Sequence, residues 1–173
     1  MPKEAEVPPT QRDRWQDSVL VWGAIGSNGK FILEIVNGTM GFQTYLDILK
    51  KRLLKNFPTL RPCVAELKGV ESLIYQHDGA KAHIASNVNS YFREREIEIL
   101  DWLAKFPDLN LIESVWSKLK SQLKKSYEDR EELIEDIIRS KNFISSDYIV
   151  KLYSSMRNRI EAVINSNGLP TKY

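Results

Sequence analysis

The sequence predicts one layered domain of strands and helices, of the α/β or α+β class. Strand-like apolar runs come first, and apolar residues at helical spacing lie between and after them. Apolar residues make up 42% of the 173 residues and charged residues 28%, which is enough apolar surface for one real core. The single cysteine excludes an intramolecular disulfide framework. No apolar run approaches the roughly 18 residues of a membrane span, so we expect no contact with a membrane.

The strands are predicted from continuous apolar runs. Residues 1–17 are polar and rich in proline, so we expect an irregular arm there and the domain itself over residues 18–173. The apolar run Val19–Ile25 is typical of a buried strand. A turn at Ser27–Lys30 and a second run at Phe31–Val36 complete a hairpin. Two shorter strands are predicted further along the chain: Leu73–Gln76 and Ile97–Leu100.

Five helices are predicted from apolar residues three and four positions apart. The first begins near Phe42 and ends at Phe57–Pro58, because a residue that precedes proline disfavours the helical conformation. The chain after residue 100 is almost entirely helical. The remaining four helices are predicted at about 84–96, 111–125, 129–142 and 147–166.

Charge is segregated although the net charge is only +2. Residues 47–61 hold five basic residues against one acid, and residues 128–136 hold six acids against one arginine. Such blocks indicate either a basic face for a polyanion or ordinary solvated helix surfaces.

Asp78 and Glu113 are the candidate functional acids, and each has a purely structural alternative. Asp78 follows a predicted buried strand, where carboxylates often border a cleft, but Asp-Gly is also a strong turn dipeptide. Glu113 flanks the apolar arc of its helix above Lys120 and Lys124. It is equally suited to a metal site beside a phosphate track, to a charge stripe, or to a capping box with Asn110.

A zinc site is not favoured by the histidines. His77 and His83 lie close to Asp78 in sequence, but the chain has no second ligand cluster at zinc spacing.

Three segments together resemble the catalytic domain of mariner-like transposases. They are Val21-Trp22-Gly23, the segment from Gln76 to His83, and the segment from Trp102 to Trp116, which contains Pro-Asp-Leu-Asn-x-Ile-Glu-x-x-Trp. The ending of the chain, from Ser155 to Tyr173, is similar to that family's C-terminus. Asp78 and Glu113 are separated by 34 residues, which matches the spacing of the second and third acids of the family's three-carboxylate set.

The resemblance implies a ribonuclease-H-like mixed sheet flanked by helices, with a helical C-terminal part. It also implies DNA cleavage and strand transfer by two divalent ions, Mg²⁺ or Mn²⁺, with Asp78 and Glu113 as metal ligands. DNA is the implied partner and the nucleus the implied location. The basic residues expected to contact DNA phosphates are Lys120, Lys124, Lys50, Lys51, Arg52 and Lys55.

The family's first strand and its carboxylate have no counterpart in the 173 residues. We therefore expect a catalytic-domain remnant that binds metal weakly and is inactive alone. That strand is central in the family's sheet, so a homo-oligomer or a partner strand is expected to complete the sheet here. The alternative function is a non-enzymatic module that binds DNA or a protein.

Overall fold

The computed structural model describes residues 18–54, 74–95, 97–102 and 106–173. Three sequence predictions lie outside these ranges. They concern the arm at residues 1–17, the end of the first helix at Phe57–Pro58, and Lys55.

The predicted hairpin is confirmed. Strand β1, Leu20–Ile25, pairs antiparallel with β2, Phe31–Val36, in a register that sets Leu20 opposite Val36 and Ile25 opposite Phe31. The connecting turn places Gly29 at a φ of 81°, a conformation that glycine adopts without strain.

A second, smaller sheet forms from the two short predicted strands. Strand β3, Ile74–Tyr75, pairs parallel with β4, Glu98–Ile99. Within the described ranges β1 does not pair with β3, so the two sheets remain separate.

The helices follow the predicted order. The first continues into a π-helical turn at Leu49–Leu54, and two 3₁₀ turns lie at Pro107–Leu109 and Lys141–Phe143. The α-helices are α1 (Phe42–Ile48), α2 (Ser86–Arg93), α3 (Leu111–Lys120), α4 (Arg130–Ser140), α5 (Ser146–Ser154) and α6 (Met156–Asn165).

Two helix predictions were wrong, one at its C-terminal end and one in its middle, and a serine hydroxyl lies at each position. The helix predicted to reach residue 125 stops at Lys120, where the Ser121 hydroxyl donates to the Lys118 carbonyl over 2.7 Å. The single helix predicted over 147–166 is two helices, because the Ser155 hydroxyl donates to the Leu152 carbonyl over 2.7 Å. A hydroxyl that donates to a carbonyl of the last helical turn competes with the backbone N–H that would continue the helix.

Two apolar cores lie on opposite faces of the hairpin. Trp22 and Ala24 point into a core with α1 and α2, whereas Ile25 packs against a core built from α3 and α5. Neighbouring residues of a strand point to opposite faces, so this alternation makes a helix–sheet–helix arrangement. Within the described ranges, no helix combines the length and the apolar composition needed to cross a membrane.

Trp116 fastens α3 to the sheet. A β-carbon added at Gly23 would lie 2.5 Å from Cη2 of Trp116, so only a glycine lets the indole approach the strand this closely. The indole also meets the ring of Phe31 edge-to-face, with 6.0 Å between centroids. This contact gives both Gly23 and Trp116, the tryptophan that follows Glu113, a packing role.

Asp136 joins α4 to the segment that follows α3. Its side chain is buried and accepts hydrogen bonds from the backbone N–H of Lys124, the Tyr127 hydroxyl and the Arg139 guanidinium. The bonds from Arg139 and Tyr127 lower the pKa of the Asp136 carboxyl to about 2.

We predict that Gly23→Ala destabilises the domain by about 1–3 kcal/mol, the usual cost of overpacking. The added methyl group would displace the Trp116 indole and with it the start of α3. Urea unfolding measures the change, with Gly41→Ala as the matched control, since nothing lies within 4 Å of a β-carbon at Gly41. Equal unfolding midpoints for the two variants would contradict the proposed packing role.

We predict that Asp136→Asn lowers the melting temperature at pH 7 by about 3–10 °C, because buried charge-assisted hydrogen bonds are lost. The folded pKa lies below the ordinary value, so the ionised form stabilises the fold above about pH 4 and this stabilisation disappears towards pH 2. The difference in melting temperature between wild type and variant should therefore narrow as the pH falls from about 4 to about 2. Thermal melts at a series of pH values measure this difference, and the exposed Asp101→Asn is the control. A difference that does not change with pH would refute the prediction.

Candidate active site

One cavity contains both candidate acids. It has a volume of about 740 Å³ and lies between β1, the end of β3 and the start of α3. Asp78 and Glu113 both line it. The structure thus brings together two carboxylates that are far apart in the sequence.

Among the described residues, one carboxylate oxygen of Asp78 accepts hydrogen bonds and the other has no partner. Oδ1 accepts from the backbone N–H of Ala80 over 3.0 Å, which is the turn that the sequence suggested, and from Nδ1 of His83 over 2.6 Å. The Asp78 side chain is 62% exposed. The structural and functional interpretations of Asp78 are therefore compatible, because the turn uses Oδ1 and leaves Oδ2 available.

Aromatic rings hold His83 in place beneath Asp78. The imidazole stacks on Tyr45 with 4.1 Å between centroids and meets the His77 ring at 5.5 Å. Tyr45 and Tyr75 share a hydrogen bond of 3.3 Å between their hydroxyls, and burial raises the pKa of Tyr75 to about 12. Burial lowers the pKa of His77, which favours its neutral form. Asp78 thus rests on a packed aromatic cluster.

Glu113 does not take part in the capping box that the sequence suggested as one alternative. The Asn110 side chain makes no capping hydrogen bond to α3; its Oδ1 instead accepts from Nε2 of Gln76 over 3.4 Å. Glu113 is exposed, and none of the described residues forms a hydrogen bond or ion pair with its carboxylate. The capping-box interpretation was therefore wrong, and the Gln76–Asn110 bond instead ties the end of β3 to the start of α3.

Arg159 anchors the loop that precedes α3. It is only 5% exposed, and its guanidinium donates to the Asp108 carbonyl over 2.7 Å, to the Ser114 hydroxyl over 3.0 Å and to the Ser155 hydroxyl over 3.0 Å. Asp108 also accepts from the backbone N–H of Thr171 over 2.8 Å. The C-terminal segment therefore fixes the first turn of the helix that carries Glu113.

The basic residues expected at DNA fall into two groups on opposite faces of the hairpin. Lys50, Lys51 and Arg52 extend from α1, and Arg52 pairs with Glu34. Lys120 and Lys124 lie at and after the end of α3, and Lys124 pairs with Glu132 over 2.5 Å. Lys50, Lys51 and Lys120 are exposed. Lys55 lies outside the described residues.

Sequence reasoning did not assign roles to His83 and Arg159. A signal existed for Arg159, which lies three residues after Met156 and four before Val163 on the buried side of α6. A buried arginine at helical spacing indicates a satisfied internal contact. The position of His83 five residues after Asp78 did not by itself indicate that the two side chains meet.

The donor set of the cavity partly fits a divalent cation. Carboxylate oxygens are the ligands that Mg²⁺ and Mn²⁺ prefer, and Asp78 and Glu113 both line one cavity. Among the residues that the structure describes, no group of three His, Cys, Asp or Glu side chains is placed to hold a metal ion. Two ligands are thus available from the described part of the chain.

Known proteins match both the sequence and the fold. Residues 1–134 match the family described as DDE superfamily endonuclease. The Tcb1 transposase of Caenorhabditis briggsae is 32% identical over 157 residues, which cover 90% of this chain and 55% of that protein. The chain therefore spans about half the length of the curated relatives it matches.

Two solved structures share the fold. The Mos1 transposase paired-end complex with left transposon end aligns with a TM-score of 0.73 and 18% identity, covering 99% of this chain and 51% of that chain. The Mos1 transposase catalytic domain with Raltegravir and Mn aligns with a TM-score of 0.67 and 20% identity, covering 89% of this chain and 78% of that chain. The predicted ribonuclease-H-like fold is confirmed. The chain therefore belongs to the DDE superfamily endonucleases, and it is similar in sequence to Tc1-type transposases and in fold to the Mos1 mariner transposase.

Proposed function

We propose that the chain is a transposase catalytic domain of the two-metal type that supplies two of the three metal-binding carboxylates, Asp78 and Glu113. The observation that carries this proposal is their position on one cavity, with Glu113 unused by any helix cap. As a 173-residue polypeptide it binds Mg²⁺ or Mn²⁺ weakly and has little or no cleavage activity. Its place of action is the nucleus, where its DNA substrate lies.

The protein's own groups would position the ions. Asp78 would offer its free Oδ2 while His83 fixes the carboxylate through Oδ1. Glu113 would approach from the first turn of α3, which Arg159 and Trp116 hold in place. When bound, divalent cations supply activation of an attacking oxygen and stabilisation of the leaving oxygen.

DNA binding by exposed lysines supports the same function. One structural relative, the Mos1 transposase, is solved in a paired-end complex with its left transposon end. On this chain Lys50, Lys51 and Lys120 are exposed cations, whereas Arg52 and Lys124 are already paired with carboxylates. We propose that the exposed lysines contact phosphates without reading sequence.

A non-enzymatic binding module is the second candidate function, and the open cavity between the two sheets favours it.

We predict that Mn²⁺ binds at Asp78 and Glu113 with a dissociation constant on the order of 1 mM or weaker, because few charged ligands converge there. Amide signals near both acids should broaden in NMR spectra with added Mn²⁺. Asp78→Asn and Glu113→Gln should abolish the broadening, and the exposed Asp101→Asn should preserve it. Plasmid nicking should be weak or absent. Tight binding, robust nicking that Asp78→Asn removes, or no broadening at either acid would contradict the proposal.

We predict that the chain binds duplex DNA of any sequence, with an affinity that falls steeply with salt because phosphate contacts release counterions. The double variant Lys50→Ala with Lys51→Ala should reduce the slope of log affinity against log salt by about 1–2. Fluorescence anisotropy at salt concentrations from low to physiological measures this slope, and the exposed Lys151→Ala is the control. An absence of binding at low salt would reject the DNA role and favour a protein-binding module.

A further inference from the structure

The buried guanidinium of Arg159 has no acidic partner among the residues that the structure describes. Its hydrogen bonds go to three neutral oxygens: the Asp108 carbonyl and the hydroxyls of Ser114 and Ser155. No described carboxylate forms an ion pair with it. A buried charge is costly unless other groups compensate for the water it has lost. The stability of this cation therefore depends on what else surrounds it.

Asp108 meets Arg159 through its backbone, while its side chain binds the C-terminal segment. The carbonyl accepts from Nη1 of Arg159 over 2.7 Å, and Oδ2 accepts from the backbone N–H of Thr171 over 2.8 Å. The ring of Phe106 lies beside the same segment, since a β-carbon added at Gly168 would be 3.6 Å from its Cε1. The loop that precedes α3 is thus covered by residues 168–173.

The ring of Tyr173 lies against the guanidinium. Its centroid is 4.7 Å from Cζ of Arg159, which is within the distance at which the negative face of an aromatic ring attracts a cation. This attraction is stronger where water is excluded, and Arg159 is buried. Among the described residues the Tyr173 hydroxyl has no hydrogen-bond partner, so the ring makes the contact. Tyr173 therefore provides the compensation that no described carboxylate gives.

The contacts of Arg159 lie on both sides of Glu113. Ser114 directly follows Glu113, and its hydroxyl accepts from Arg159 over 3.0 Å while its carbonyl accepts from the Tyr148 hydroxyl over 3.1 Å. On the other side, the backbone N–H of Glu113 donates over 3.0 Å to the carbonyl of Asn110, in the loop that Arg159 also holds. A displacement of the guanidinium would therefore reach the backbone of Glu113.

We propose that Tyr173 is a positioning residue for Glu113. Its ring stabilises the guanidinium of Arg159, which fixes the backbone on both sides of Glu113 and hence the direction in which this carboxylate points. The inference rests on the proposed function, because it gives Tyr173 a role at the metal site. Asp78 is held by different contacts, from Ala80 and His83, and does not depend on Tyr173.

The first measurement is amide hydrogen exchange of the full chain without metal. Tyr173→Leu removes the aromatic face, whereas Tyr173→Phe keeps it and removes only the hydroxyl. Tyr173→Leu should speed exchange of the Glu113 amide at least about threefold, because the cation–π contact is lost. Exchange of the Val88 amide, which donates to the Ala85 carbonyl in α2, should change less than about twofold. Tyr173→Phe should match the wild type at both amides.

The second measurement is an NMR titration with Mn²⁺ alone. In Tyr173→Leu the ratio of broadening near Glu113 to broadening near Asp78 should fall at least about twofold, because Glu113 no longer points at the ion that Asp78 binds. Tyr173→Phe should restore the wild-type ratio. The matched control is Lys172→Ala. Its ammonium lies 5.4 Å from the centroid of the same ring and is absent from the Arg159 contacts, so this variant should match the wild type in both measurements.

Three results would overturn the proposal alone. The first is equal behaviour of Tyr173→Leu and Tyr173→Phe. The second is faster exchange at Glu113 with an unchanged broadening ratio, and the third is equal acceleration at Glu113 and Val88, since both would make Tyr173 a general stabiliser of the fold. An absence of broadening near either acid in the wild type would instead reject the proposed function, and this inference with it.

Discussion

The contact between Trp116 and β1 at Gly23 determines where α3 lies, and α3 carries Glu113. The indole approaches the strand so closely that a methyl group on Gly23 would overlap it. A close-packed interior transmits such a constraint rigidly, because neighbouring side chains have little room to adjust. The separation of Glu113 from β3 is then set by packing across the hairpin and by the Gln76–Asn110 hydrogen bond. The site depends on these contacts before any metal ligand is considered.

Local patterns in the sequence predicted the elements that depend on local physics. The continuous apolar run at β1 and the turn before β2 gave the hairpin, and helical spacing gave the helix order. The errors occurred where a side chain competes with the backbone. Helices end at Ser121 and Ser155, although the spacing of apolar residues alone would continue them. A hydrogen bond from one serine hydroxyl to a carbonyl does not change the spacing of the apolar residues, so the spacing could not predict it.

The two candidate acids could be named from the sequence, but the contacts that surround them could not. The resemblance and its spacing pointed to Asp78 and Glu113, whereas whether the Asn110 side chain caps α3 depends on Gln76, which lies 34 positions earlier in the chain. The His83–Asp78 bond and the Arg159 contacts likewise depend on how α2 and α6 pack. Interactions between elements distant in sequence follow from tertiary packing, which no local pattern encodes.

The exposure of the two acids and the openness of their cavity have the same consequence for cation binding. Asp78 is more than half exposed, and its interactions are weakened by the surrounding water. Charge interactions strengthen as the local dielectric falls, so any group that displaced water from the cavity that both carboxylates line would also strengthen cation binding there. The weak metal binding that we propose therefore follows from the water in the cavity as well as from the number of carboxylates.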